Sequence, residues 1–245
     1  MRIIAPTKIK VKFCLFIALF SILTGLFIGS KAVEKLSAVN AAAKNGALKT
    51  VIIDAGHGGP DGGTSADDGT LEKEINLKIA TKLNEILQSM GVNTVMIRTE
   101  DVSIHDASAE TIRQKKISDI KNRLKIINET DNAVFVSTHQ NHFSDSKYSG
   151  TQVFYSKNDP LSQTLANSIR LPIITYLQTE NTREIKQSGT DIYLLYHAQK
   201  PSVMVECGFL SNKEEAAKLK NDSYQQQLAF LIAIGIMDYF KNTVV

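Results

Sequence analysis

Three short apolar runs, rich in β-branched residues, each stop abruptly at side chains that can do chemistry. Val51-Ile52-Ile53 leads into Asp54-Ala55-Gly56-His57, Val134-Phe135-Val136 into Ser137-Thr138-His139, and Val203-Met204-Val205 into Glu206. A brief, unalternated apolar run is the pattern of a strand covered on both faces, and it limits the fold more than any other feature here. Strands are predicted at 49–53, 92–98, 133–139, 151–155 and 201–209. The segments between them have helical period. Residues 72–90 place Ile75, Ile79, Leu83, Ile86, Leu87 and Met90 on one face, with Gly91 as the stop. Further helices are predicted at 111–129, at 160–178 (interrupted or entered at Pro172), and at 223–241. The last is apolar nearly all round and should lie buried against the sheet. Ser211 to Glu214 and Ser223 to Gln226 have the form of capping boxes. This alternation predicts one α/β domain over 49–245, a central mostly parallel or mixed sheet flanked by helices. The polar stretch 100–122 reads as partly a surface excursion.

The first residues serve another purpose. Arg2, Lys8, Lys10 and Lys12 precede any acid, and removing them from the net charge of +3 leaves about −1 for the remainder. No clustered basic face remains for nucleic acid. The basic flank is followed by an uncharged apolar run at 13–29, "FCLFIALFSILTGLFIG". Residues 1–30 therefore read as a secretory signal or membrane anchor, and 31–48 as a linker. Export is expected, with the chain either secreted or anchored. The two cysteines, Cys14 in the apolar run and Cys207 in a strand, are unsuited partners, and no Cys-x-x-Cys site exists.

Active sites of open α/β sheets form at the carboxyl ends of strands, where His57, His139 and Glu206 all fall. Glu72 joins them at the first turn of the helix after the glycine-rich loop. Two imidazoles and one carboxylate, with a position left for water, are a catalytic zinc pattern, and a second carboxylate can serve as base. Each residue alone has a plainer reading: a turn histidine, a strand-end histidine. Glu206 is harder to dismiss, because an unpaired charge inside a buried run is costly. The residues alone leave both readings open. A dinucleotide loop is disfavoured, since Asp61 stands where the third glycine of Gly-x-Gly-x-x-Gly belongs and the helix starts about a dozen residues later. No Gly-x-Ser-x-Gly elbow is present.

Taken in order, "VIIDAGHGGPDGGT", "LEKEINLKIA", "MIRTED", "VSTHQNH" and "PSVMVECGFLSN" resemble the zinc-dependent N-acetylmuramoyl-L-alanine amidases of the Amidase_3 family. The resemblance spans about residues 50–240. It implies one zinc ion on His57, Glu72 and His139, with Glu72 preferred to Glu74 because the family's ligand directly precedes a lysine, here Lys73. It implies Glu206 as the catalytic carboxylate, moving a proton from water to the departing amine of L-alanine. Asp54 would orient His57 or cap its strand. Arg98 and Asn141 are candidates for substrate or loop contacts, with a structural ion pair the better reading of Arg98. His142 stands where the family has a small residue and is expected to be exposed; His105 and His197 read as surface or packing residues. The stretch after "RTED" resembles the sporulation branch, which acts on spore-cortex peptidoglycan and yields muramic-δ-lactam. That branch would place the protein in the forespore intermembrane space. A vegetative wall amidase and a degenerate peptidoglycan-binding protein are the alternatives. With no wall-binding repeat visible, targeting or activation is expected from a protein partner at the membrane.

Overall fold

The computed structural model describes residues 50–243. The predicted signal or anchor at 1–30 and linker at 31–48 lie outside the described residues. Among those described, no helix is long and apolar enough to cross a membrane. Six strands, β1 (Thr50–Ala55), β2 (Thr94–Met96), β3 (Ala133–Asn141), β4 (Gln152–Tyr155), β5 (Lys186–Gln187) and β6 (Ser202–Phe209), form one sheet in the order β2-β1-β3-β6-β4-β5. The first four in that order are mutually parallel, whereas β4 runs antiparallel to β6 and carries β5 parallel to itself. The sheet is thus mixed. The helices are α1 (Glu72–Ser89), α2 (Ile112–Glu129), α3 (Leu161–Tyr176), α4 (Tyr193–His197), α5 (Lys213–Lys220) and α6 (Asp222–Thr243).

Strand side chains alternate between two faces, and both faces are covered. Val51, Ile53, Val134, Val136, Val203 and Val205 meet Ile79 and Leu83 of α1, Leu165 and Ile169 of α3, and Ile232 and Ile236 of α6. The other face is thinner: Ile52, Phe135 and Met204 pack on Ile127 of α2 and on Leu194 and Leu195 of α4. Each such buried side chain contributes about 1.5–3 kcal/mol of transfer free energy. One step further along the thinner face lie Asp54 and its register partner Ser137, and next His139, paired with Glu206. On its other side Glu206 pairs with Gln152 of β4. The row His139–Glu206–Gln152 is the floor of the site.

Several local expectations are displaced. The β2 strand is only three residues long rather than 92–98. Asn212, not Ser211, caps α5 by accepting from the Glu215 amide, while the Ser211 hydroxyl accepts from Phe143 N–H. Asn221 accepts from the Tyr224 amide, so Ser223 sits inside α6 instead of capping it. Helix α3 runs through Pro172, which has no N–H for the Ser168 carbonyl. There α6 comes close: a Cβ on Gly235 would stand 2.4 Å from that oxygen.

Candidate metal centre

Beyond β1 the chain turns on consecutive positive φ values at His57 (64°), Gly58 (132°) and Gly59 (55°). Left-handed backbone at a histidine costs about 1–3 kcal/mol and must be held from outside. Arg123 of α2 donates to the His57 carbonyl at 2.7 Å, and His57 Nδ1 lies 3.0 Å from the Asp61 carboxylate. Gly58 and Asp61 close the loop through reciprocal backbone bonds. The absence of a Cβ at position 56 is a matter of room as much as of turning. A Cβ on Gly56 would stand 2.2 Å from His139 Nε2, so the imidazole occupies the space a side chain would need.

Glu72 opens α1 and is buried, whereas Glu74 is exposed. Its carboxylate meets His139 Nδ1 at 2.9 Å and His57 Nε2 at 3.2 Å. The Thr64 and Gln140 amides and the Asn76 side chain donate to the same two oxygens, fixing their direction. Burial opposes the Glu72 charge, but the two imidazoles hold its carboxyl far below the ordinary range. His57 is raised to about 9, burial opposing and the Asp61 and Glu72 bonds prevailing. The imidazoles stand edge-on, 4.9 Å between centroids. One donor atom each from His57, Glu72 and His139 lie within 4.8 Å of one another. That set of two imidazoles and one carboxylate could hold a metal ion, and its chemistry suits zinc.

Glu206 lies beside this cluster, outside it. Its Oε2 is buried with no hydrogen-bond partner. Burial pushes the carboxyl up to about 7, with His139 opposing, Glu72 adding and His57 opposing. A buried carboxyl oxygen left unsatisfied calls for an explanation, and a role in proton transfer provides one.

Two expectations are corrected. Asp54 does not touch His57; it is buried against Arg123 and accepts from the Ser137 hydroxyl at 2.6 Å. The carboxylate that orients His57 is Asp61, itself bound by Lys116 at 2.8 Å. Arg98 forms no ion pair among the described residues but donates to the carbonyls of Ala55, Gly56, Lys73 and Glu100, clamping the glycine loop to the start of α1. Asn141 ends β3 and borders a groove towards β5. His142 is exposed, as expected; His105 bonds Ser103, and His197 packs on Tyr193 and Tyr196. Reading the sequence missed Asp61, Arg123, Asn76 and Gln140. Only Asp61, four residues after His57 inside the same loop, carried a local signal.

Residues 51–238 match the family model for N-acetylmuramoyl-L-alanine amidase, Amidase_3. The chain belongs to the N-acetylmuramoyl-L-alanine amidase family. It is 32% identical over 198 residues to a germination-specific N-acetylmuramoyl-L-alanine amidase of Bacillus subtilis, covering 79% of this chain and 81% of that one. Among solved structures, the CwlD amidase of Clostridioides difficile, in complex with the GerS lipoprotein, superposes with a TM-score of 0.76 at 42% identity. That match covers 79% of this chain and 99% of the other. An N-acetylmuramoyl-L-alanine amidase from Clostridium difficile 630 gives 0.69 at 30%, covering 80% and 98%. This amidase is accordingly a hydrolase of peptidoglycan, similar to a germination-specific amidase.

Proposed function

We propose that the chain hydrolyses the amide between N-acetylmuramic acid and L-alanine in spore-cortex peptidoglycan, using one zinc ion per chain held by His57, Glu72 and His139. The observation that carries this reading is the three-donor cluster with an unpartnered Glu206 carboxyl in register beside it. Zinc in such a site lowers the pKa of a water and polarises a carbonyl oxygen. The residues supply the rest. Asp61 fixes the ring of His57, while Asn76 and two backbone amides aim Glu72. Glu206 accepts the proton of the water whose oxygen bonds to the lactyl carbonyl carbon. As the carbon–nitrogen bond breaks, Glu206 returns that proton to the alanine nitrogen, which leaves as the neutral amine. Purified protein dialysed against dilute zinc is expected to hold one zinc per chain by elemental mass spectrometry, and His139→Ala to hold essentially none. Wild-type protein free of zinc would refute the metal assignment.

The cortex as substrate rests on relatives: one carries a germination-specific name, and another is a CwlD amidase. Spores formed without this protein are expected to lack muramic-δ-lactam. Unchanged lactam content would assign the enzyme to the vegetative wall instead. We place the protein outside the cytoplasm, held at the membrane by residues 13–29 and, for the cortex, in the forespore intermembrane space. A lipoprotein-type partner for targeting or activation follows from the CwlD complex and applies here by analogy.

A further inference from the structure

The floor of the site continues sideways across the sheet. From His139 the register runs to Glu206 and on to Gln152, and β5 then sets Lys186 beside Phe154. Asn141, Gln152, Phe154, Arg183, Lys186 and Phe209 border a groove of about 310 Å³. Two cations stand in it. The Arg183 guanidinium lies 4.6 Å from the ring of Phe209 and 5.7 Å from that of Tyr148, and its Nε donates to the Ser149 carbonyl at 2.8 Å. Stacking and that bond hold the fork in place at little further cost in side-chain entropy. Lys186 is exposed, 5.9 Å above the ring of Phe154. Neither forms a salt bridge among the described residues. Neighbouring Glu184 is engaged by Arg170 at 2.9 Å, and the Glu215 carboxylate accepts from the amides of Gly150 and Phe209.

The opposite flank of the metal centre differs in charge and polarity. Its cavity of about 410 Å³ is bordered by Asp61, Asp119 and Asp191 together with Ile117, Ile192 and Tyr193. Its lysine and arginine are already engaged, Lys116 with Asp61 and Arg123 with Asp54 and Asp119. An acidic ligand is repelled there and attracted towards β5. Reach agrees as well: strands lie about 4.8 Å apart, so β5 is about 10 Å from β6, and an extended peptide covers that in about three residues.

We propose that Arg183 and Lys186 receive the free carboxylates of the stem peptide, so that the peptide arm lies across β6, β4 and β5 while the glycan occupies the flank formed by α2 and α4. This deepens the amidase reading and rests on it for the identity of the peptide. The pair then sets specificity for stem peptides whose residues beyond the alanine keep their carboxylates free, and disfavours amidated stems.

Binding rather than cleavage tests it. Purified protein is titrated with L-alanyl-D-glutamyl-diaminopimelate, the arm that hydrolysis would release, and with the same tripeptide as its carboxamides. Wild-type protein is expected to prefer the free acid, and Lys186→Gln and Arg183→Gln each to reduce that preference by about fivefold. The preference should shrink as salt rises. The Lys186 ammonium lies over the ring of Phe154 and has no salt bridge among the described residues, so its variant keeps the test sound even if Arg183→Gln disturbs the Ser149 loop. Equal affinity for the two tripeptides in wild-type protein, or an unchanged preference in both variants, overturns the proposal. Cleavage of a muramoyl peptide, followed separately, reports on the amidase reading alone, so the two can fail independently.

Discussion

Glu206→Gln is expected to leave one zinc per chain in place while slowing peptide release by about a hundredfold to ten-thousandfold, the range that general acid–base catalysis commonly supplies. The two halves of this outcome come from different observations. Metal retention follows from position: the three close donor atoms belong to His57, Glu72 and His139, and Glu206 is outside that set. Loss of turnover follows from chemistry. Glutamine has nearly the shape of glutamate, so the row His139–Glu206–Gln152 keeps its packing, but an amide cannot take a proton from water and return it to an amine. Burial has also prepared the carboxyl for that exchange by pushing it up to about 7. Zinc content by elemental mass spectrometry and peptide release by end-group analysis are measured on the same preparation. Zinc lost together with activity would make Glu206 a ligand. Turnover within about tenfold of wild type would place the base elsewhere.

The parts of this fold that could be read in advance are those where burial forces a pattern. Strands β1, β3 and β6 are sandwiched between two helical layers, so nearly every residue must be apolar, and the polar residues at their ends stand out. That contrast brought His57, His139 and Glu206 to notice. Two-residue β5 has both positions exposed, and α4 has five residues, too few for helical period to show. The site's supports were harder still to see. Asp54 was visible as a strand-end acid, but its partner Arg123 is 69 residues away on a segment read only as a helix. Asp54 and His57 are neighbours along the chain, yet alternation turns the Asp54 side chain towards α2. Asp61, brought round by the turn, takes the orienting role. The Arg98 contacts were illegible for another reason: they are to backbone carbonyls, which every residue possesses and no sequence marks.

Those supports make the second large prediction one of stability. Arg123→Met is expected to destabilise the fold by about 3–5 kcal/mol, the cost of leaving a buried carboxylate without its partner. Asp54 and Arg123 are both almost completely buried and in direct contact, and Arg123 also binds Asp119 at 2.7 Å and the His57 carbonyl. Burial opposes the Asp54 charge, while Arg123 and the Ser137 hydroxyl more than offset it and hold the carboxyl below its ordinary 3.8. Because the folded value is depressed, the stabilisation is present above the unfolded value and is lost as pH falls through the folded one. The penalty of Arg123→Met should therefore be full at neutral pH and shrink under acid, where Asp54 can be buried neutral. Urea unfolding at neutral pH and near pH 4 measures both. Asp54→Asn combined with Arg123→Met should recover part of the loss, since the uncompensated charge is gone. What the double variant cannot restore is the bond to the His57 carbonyl. It should regain stability while still binding zinc more weakly than wild type, because the left-handed turn at His57 has lost the guanidinium that held it. A single variant within about 1 kcal/mol of wild type would show that Asp54 finds water or another donor. A double variant with wild-type zinc affinity would show that Asp61 and the Gly58–Asp61 bonds suffice to hold the loop.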